Sequence, residues 1–369
     1  MHRSSGSRIV VGLSGGVDSA VAALLLKDAG WEVHGLFMNN WDDEDAYCTA
    51  AQDFQDARAV ARVLGIPLHR VSFAAQYRQR VFARFLAELE AGRTPNPDVL
   101  CNREVKFGLA LEYARRLGAQ CFATGHYARL VAREGAVELH QAADADKDQT
   151  YFLHAVQPEA LAHVEMPLGD LTKREVRLRA RRAGLPVHAK PDSTGICFIG
   201  ERPFREFLAQ YLADDPGPIE SERGERLGTH QGLAFYTLGQ RAGLALGGRR
   251  GAAQQPWYVA RKDTARNALL VVQGTEHPLL WQNELTTGPM HWLVDSSRAP
   301  VRCTVRVRHR QTPQSATVEA LAGGRLGIRF DQPQRAVTPG QYAVLYDATR
   351  CLGGGVIETV QRTAARAAA

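Results

Sequence analysis

The chain has 369 residues, 45% apolar and 23% charged, with 34 Gly and 17 Pro. That length is enough for two or three domains with a sizeable core, and the composition argues against disorder, collagen and low complexity. A net charge of +6 does not by itself demand a polyanionic partner, no apolar run is long enough to span a membrane, and residues 1–8 hold no apolar signal region, so the expected location is the cytosol.

Residues 8–13 (RIVVGL) read as a short strand, followed by Ser14-Gly15-Gly16 and a helix over 18–29 that Gly30 closes. Residues 32–38 form a second strand. Residues 46–64 carry Tyr47, Ala51, Phe54, Ala57, Ala61 and Leu64 at helical spacing, with Gly65-Ile66-Pro67 as the stop. A strand over 68–73, a helix to about 91, a helix over 104–117 and a strand over 120–124 follow. Such alternation predicts an α/β fold with a mostly parallel sheet covered on both faces. Residues 92–102 (GRTPNPDVLCN) interrupt it as a turn-rich loop. After 205 the chain becomes Gly-rich and mixed, and over 284–360 short β-like runs recur, the pattern of a small all-β barrel or sandwich. The expected domains are therefore 1–205, 206–280 and 281–369.

The segment Gly12, Leu13, Ser14, Gly15, Gly16, Val17, Asp18, Ser19 lies between a strand and a helix. Glycines let the backbone approach an anion there, and the helix offers N–H groups and the positive end of its dipole. It is a phosphate site by physics. It lacks the Lys of a Walker A loop and the spacing of the dinucleotide fingerprint.

Six cysteines are too few for a disulfide scaffold, and no pair is spaced C-x-x-C. Cys101 sits in NPDVLCN on the turn-rich loop. Cys197 sits in PDSTGICFIG, just after the most basic stretch of the chain, a plausible setting for a thiolate or persulfide. The competing reading is that both are small buried hydrophobes. Cys48, Cys121, Cys303 and Cys351 read as structural.

Two basic stretches stand out. Residues 172–190 hold seven basic residues against Glu175, and Lys173, Arg174, Arg177 and Arg181 share one side of a helix. In residues 301–310 (VRCTVRVRHR) the even positions Arg302, Arg306, Arg308 and Arg310 alternate with apolar residues, which predicts four guanidiniums on one outer strand face. Glu319 is the nearest downstream acid. RNA phosphate is the favoured partner, so charge reversal at Arg306 and Arg308 should weaken RNA binding across sequences.

SGGVDS resembles the PP-loop of the N-type ATP pyrophosphatases, which cleave ATP between the α and β phosphates and adenylate a substrate oxygen. Taken with GLFMNNW, TPNPDVLCNREVKF, ATGHYA, KDQTYFL, LGDLTKREVR, KPDSTGICFIG, YTLGQRAGL and PWYV, the chain resembles the tRNA-specific 2-thiouridylases over 9–260, and more weakly to its end. Leu13 and Ala20 depart from the residues expected in the loop, Met and Ser. Neither side chain is needed for backbone contact with phosphate.

The resemblance implies an N-terminal PP-loop sulfurtransferase domain, a small central domain and a C-terminal tRNA-binding barrel. It implies ATP and Mg²⁺, no resident metal, and wobble-uridine tRNAs for lysine, glutamate and glutamine. A sulfur-relay protein or cysteine desulfurase would be the donor. It places Met38 and Gly125 at the adenosine, Cys197 as persulfide carrier, and Cys101 as the nucleophile that attacks the persulfide or accepts the final disulfide. Asp98 serves acid–base work or base contact, or is simply the turn-former beside Pro97. Asn96, Pro97, His126, Lys147, Asp148, Gln149, His309, Arg310 and Gln341 lie on the implied tRNA path. Three other readings stay open: an amide-forming PP-loop synthetase, a non-enzymatic tRNA-binding protein, and a thiol redox switch.

Overall fold

The computed structural model describes residues 6–41, 50–133, 135–192, 204–246 and 255–362. Cys48 and Cys197 lie outside the described residues. Among the described residues no helix is long and apolar enough to cross a membrane.

The first unit is a parallel sheet. Strand β1 (Arg8–Gly12) is buried along almost its whole length, as a strand covered on both faces must be. It pairs in parallel with β2 (Glu32–Asn39), which pairs with β3 (Leu68–Ser72). On its other side lies β4 (Cys121–Ala123). The strands β5 (Ala128–Arg133) and β6 (Ala136–Gln141) form a hairpin, and β7 (Val164–Glu165) completes the order β3-β2-β1-β4-β7. The chain winds outward from β1 in one direction and then returns to its other side. The carboxyl ends of β1 and β4 therefore flank a switch point, where open α/β sheets bind ligands. Helix α1 (Val17–Asp28) packs beside the Lys173–Arg182 helix, and its Ala20, Ala22 and Ala23 are fully buried, which permits close approach. Helix α2 (Ala50–Leu64) buries Ala57, Val60, Ala61 and Leu64 on one stripe.

A second sheet joins β8 (Gly217–Ser221), β9 (Arg226–His230), β10 (Trp257–Asp263) and β11 (Ala268–Gln273) in the order β10-β11-β8-β9. The third is antiparallel: β12 (Trp281–Thr287), β13 (His291–Trp292), β14 (Arg302–Arg306), β15 (Gln314–Leu321), β16 (Arg325–Arg335), β17 (Tyr342–Asp347) and β18 (Arg350–Gln361). Pairing of β12 with both β16 and β18 closes it into a barrel. Its core holds Val305, Val307, Ala316, Ile328 and Leu345.

The first unit and the barrel are not separate beads. The β5–β6 hairpin reaches β18, where Arg350 pairs with His140 and the Gln141 N–H donates to Thr349 O at 2.8 Å. At another point Thr94 N–H donates to Pro339 O, and Gln341 Nε2 donates to Thr94 O at 2.8 Å.

Candidate active site

Between β1 and α1 the chain turns through Ser14-Gly15-Gly16. Gly15 has φ +78°, and a Cβ there would meet Asp53 O at 2.4 Å, so only glycine fits. Gly125, just past β4, presses on the same helix start: a Cβ on it would lie 2.6 Å from the Ser19 backbone nitrogen. A Cβ on Gly12 would lie 3.4 Å from Met38 Cε. Gly12, Met38 and Gly125 are thus brought to the loop, at the switch point of the sheet. Leu13 is 1% exposed and faces Gly35, and Ala20 is buried, so neither departure from the loop pattern reaches outward.

Helix α1 has Gly16 at its N-cap and no side-chain cap. Ser19 Oγ serves the turn instead, accepting from the Ser14 N–H at 3.2 Å and donating to Gly16 O at 3.1 Å. The first-turn N–H groups and the helix dipole are therefore left for an anion.

A ring of charges surrounds this cradle. Asp18 accepts from Tyr127 Oη at 2.9 Å and from Lys173 Nζ at 2.7 Å. Lys173 also pairs with Asp192 at 2.7 Å, and Asp192 accepts in addition from Lys147 at 2.6 Å and Arg177 at 2.7 Å. Burial pushes the Asp192 carboxyl upward, but hydrogen bonds from Lys147 and Lys173 prevail and hold it down at about 2. Burial raises the Tyr127 phenol, and the neighbouring Asp18 carboxylate raises it further, so it stays a donor. Lys190 ties the loop to α2: its Nζ reaches Gly15 O at 3.1 Å, Asp53 at 2.7 Å and Asp56 at 2.5 Å. Burial opposes its charge, yet those two carboxylates raise its pKa on balance.

This redistributes the basic stretch. Lys173, Arg177 and Lys190 turn toward acids at the loop, whereas Arg174 and Arg181 remain exposed. The expectation of one uniform basic face is corrected: the acids that divide it, Asp18, Asp53, Asp56 and Asp192, come from other parts of the chain.

Cys101 is on a helix, not on the expected loop. Asn96 caps the Pro97–Leu100 turn by accepting from the Asp98 N–H at 3.2 Å, and Pro97 occupies the first helical position. The helix continues as a wider π-type stretch, Cys101–Leu109, a form frequent at functional sites. Phe107 of that stretch packs on Phe122 of β4, with ring centroids 6.4 Å apart, and so docks the cysteine helix on the sheet that carries Gly12. Cys101 itself is 0% exposed. Burial pushes the Asp98 carboxyl up, with Lys106 and His309 opposing. Cys197 lies outside the described residues, five positions beyond the anchored Asp192.

The arginine strand is also corrected. β14 ends at Arg306, so the two-residue period does not extend to Arg308 and Arg310. Arg306 is buried at 6% exposure and donates to Asp148 Oδ2 at 2.6 Å. Arg308 is half-buried and donates to Leu238 O, Ala336 O and Thr338 Oγ1. Arg302 is exposed and paired with Asp331, not with Glu319. Arg310 is exposed. The four guanidiniums do not share one outer face, because two of them satisfy buried acceptors.

Other residues of the implied tRNA path are internal. Asp148 is 1% exposed and accepts from Ala142 N–H and Thr150 Oγ1 as well as Arg306. His126 is buried, with Nδ1 2.7 Å from Thr124 Oγ1, and burial holds its pKa well below the usual value. Gln149 accepts from the Tyr127 N–H at 2.9 Å. His309 donates through Nε2 to Asp148 O at 2.9 Å and lies over Phe152.

Sequence reasoning passed over Tyr127 and Asp192 as site residues and took Lys173 and Arg177 for RNA surface. The available signal was local charge imbalance: a cluster of cations with one nearby acid needs carboxylates from elsewhere.

Comparison with known families places the described units in order. Residues 7–201 match a family model described as tRNA methyl transferase HUP domain. Residues 205–273 match a tRNA methyl transferase PRC-barrel domain, and 282–357 an aminomethyltransferase beta-barrel domain. Among curated proteins, the tRNA-specific 2-thiouridylase MnmA of Alcanivorax borkumensis is 55% identical over 355 residues, 95% of this chain and 97% of that one. The protein of the same name from Halorhodospira halophila is 56% identical, covering 96% of this chain and 94% of its own. That of Legionella pneumophila (strain Lens) is 52% identical, covering 96% and 99%.

Proposed function

The chain belongs to the tRNA-specific 2-thiouridylase family, and on that premise we propose that it replaces O2 of a tRNA wobble uridine with sulfur, by adenylation followed by transfer from a cysteine persulfide. It is an enzyme that transfers sulfur to uridine. The domain description speaks of methyl transfer, but full-length relatives above 50% identity outweigh a domain label.

The observation that carries the adenylation reading is the uncapped α1 N-terminus behind a glycine turn that no other residue fits, set at the switch point and ringed by Lys173, Lys147 and Lys190. ATP, bound there with Mg²⁺, supplies the adenylyl group that turns a poor oxygen leaving group into AMP. The residues of this chain do the holding. Gly12, Leu13, Ser14, Gly15, Gly16 and Val17 offer backbone to the phosphates, while Gly12, Met38 and Gly125 shape the adenosine side. Asp18 is the loop carboxylate that would hold a divalent cation accompanying the phosphates. Lys173 is shared between Asp18 and Asp192, so it can change partners when phosphate enters.

In the sulfur step a Cys197 persulfide delivers its terminal sulfur to C2 as AMP leaves. That sulfur is still bonded to the Cys197 sulfur, and Cys101 thiolate breaks this S–S bond by attacking at Cys197, closing a Cys101–Cys197 disulfide and leaving the thiocarbonyl on the base; or Cys101 attacks the persulfide earlier, closing the same disulfide and freeing sulfide, which then attacks C2 and expels AMP. Either course leaves a Cys101–Cys197 disulfide that a thiol reductant must reopen before a new persulfide is loaded. Asp98, three residues before Cys101, is placed to exchange a proton or hold the base. Arg310, exposed on the barrel, contacts RNA phosphate.

Pyrophosphate release is the test. The reading expects release from ATP only when tRNA with an unmodified wobble uridine is present. Release without tRNA, or none with it, contradicts adenylation of the base.

A further inference from the structure

A cavity of about 380 Å³ lies where the three units meet, apart from the glycine loop. Its walls come from Gly92 and Thr94 of the first unit, from β10 and β11, and from the barrel at Thr338 and Pro339. Leu238, Leu270 and Trp281 make much of the lining apolar. The charged residues around it are Lys262, Arg261 and Arg362, and no carboxylate lines it among the described residues.

Lys262 is the unusual member. It stands on the edge strand β10, just past a bulge between Val259 and Arg261. Its Nζ is shielded from solvent and has no hydrogen-bond partner among the described residues. A buried ammonium with no counter-charge is costly, so it gains from any anion brought beside it. Burial alone, with no charged neighbour contributing, lowers it to about 8.

We propose that this cavity binds a small organic carboxylate with an apolar body, its charge met by Lys262. One ammonium matches one carboxylate, and its flexible four-carbon stem lets it turn toward the ligand. The volume and apolar walls suit a compact aromatic or aliphatic body. The exposed Arg261 and Arg362 stand at the rim and draw anions in. A ligand here touches all three units, two residues before Asn96.

The probe is 1-naphthoate, titrated calorimetrically into the full chain. One saturable site is expected, weakened about tenfold or more in Lys262→Met, the loss typical of a charged hydrogen bond. A second readout uses the wild type alone. Near pH 9 binding should take up close to one proton, seen as heats that vary with the ionisation enthalpy of the buffer, because the ligand restores the charge of Lys262, the one lysine of the lining. No saturable binding, unchanged affinity in Lys262→Met, or heats independent of buffer each overturns the proposal.

Discussion

Arg306 and Asp148, 158 positions apart, form an ion pair of 2.6 Å with their side chains 7% and 0% exposed. The pair locks β14 of the barrel to the segment between β6 and the Thr150–Leu153 helix. Asp148 also holds Ala142 N–H and Thr150 Oγ1, and its carbonyl receives His309. Both Asp148 carboxylate oxygens and its carbonyl are satisfied, which helps a buried pair to be tolerated, while Arg306 Nε is buried with no hydrogen-bond partner among the described residues.

Removing one partner leaves the other charge buried. Arg306→Ala should therefore cost about 3–5 kcal/mol and lower Tm by several degrees or more. Arg310→Glu should leave stability unchanged within about 0.5 kcal/mol while weakening tRNA binding and reducing its salt slope by about one. Thermal melts and binding at two salt concentrations check both. An Arg306→Ala protein as stable as wild type would remove the joint from the account.

Gly15→Ala forces a side chain into Asp53 O at a left-handed φ. It should abolish tRNA-dependent pyrophosphate release, and it should lower stability by on the order of 1–3 kcal/mol. Gly184→Ala is the control: φ is +64° there, but no atom stands within 4 Å of the added Cβ. Release should survive in that variant. Equal losses in the two would mean that strain, not the crowding at the loop, decides.

Asp192 supplies a pH test. Its folded carboxyl sits at about 2, below the ordinary value near 4 for an unfolded chain. A depressed carboxyl contributes stability above pH ~4 and loses it as pH falls toward 2, an effect on the order of 1–2 kcal/mol. Wild-type Tm should thus fall more steeply than that of Asp192→Asn between pH 4 and 2. Parallel curves would mean that Lys147 and Lys173 do not stabilise the carboxylate.

Cys101 is the nucleophile of the proposed reaction, yet its side chain is closed to solvent. Alkylation by iodoacetamide at Cys101 should be slow in the free protein and faster with tRNA bound. Fast, tRNA-independent labelling would contradict a thiol uncovered by the substrate.

The sequence carried the fold's outline because its signals there are local. The run RIVVG, the glycine turn and the alternating helices each need only their neighbours, and the parallel sheet follows. The barrel announced itself by repeated short strands. What remained hidden depends on partners distant in sequence. Arg306 looks outward by period, but Asp148 draws it inward. Lys173 and Arg177 look like RNA surface until Asp18 and Asp192 arrive from elsewhere. Asn96-Pro97 looked like a turn and is a helix start, a signal that was present and outweighed by the glycine and prolines around it. The β5–β6 hairpin joins the barrel at Thr349 and Arg350, through the Arg350–His140 pairing, the Gln141–Thr349 hydrogen bond and the Arg350–Glu138 ion pair, which no pattern in either segment foretells.

The central claim is sulfur transfer through two thiols. Unmodified wobble-uridine tRNA, ATP, Mg²⁺ and a persulfide source would be incubated with wild type, Cys101→Ser and Cys197→Ser, and the RNA run on a mercury-containing gel that retards thiolated species. The account predicts an ATP-dependent retarded band with wild type and none with either variant. A band of wild-type intensity from either serine variant would contradict it.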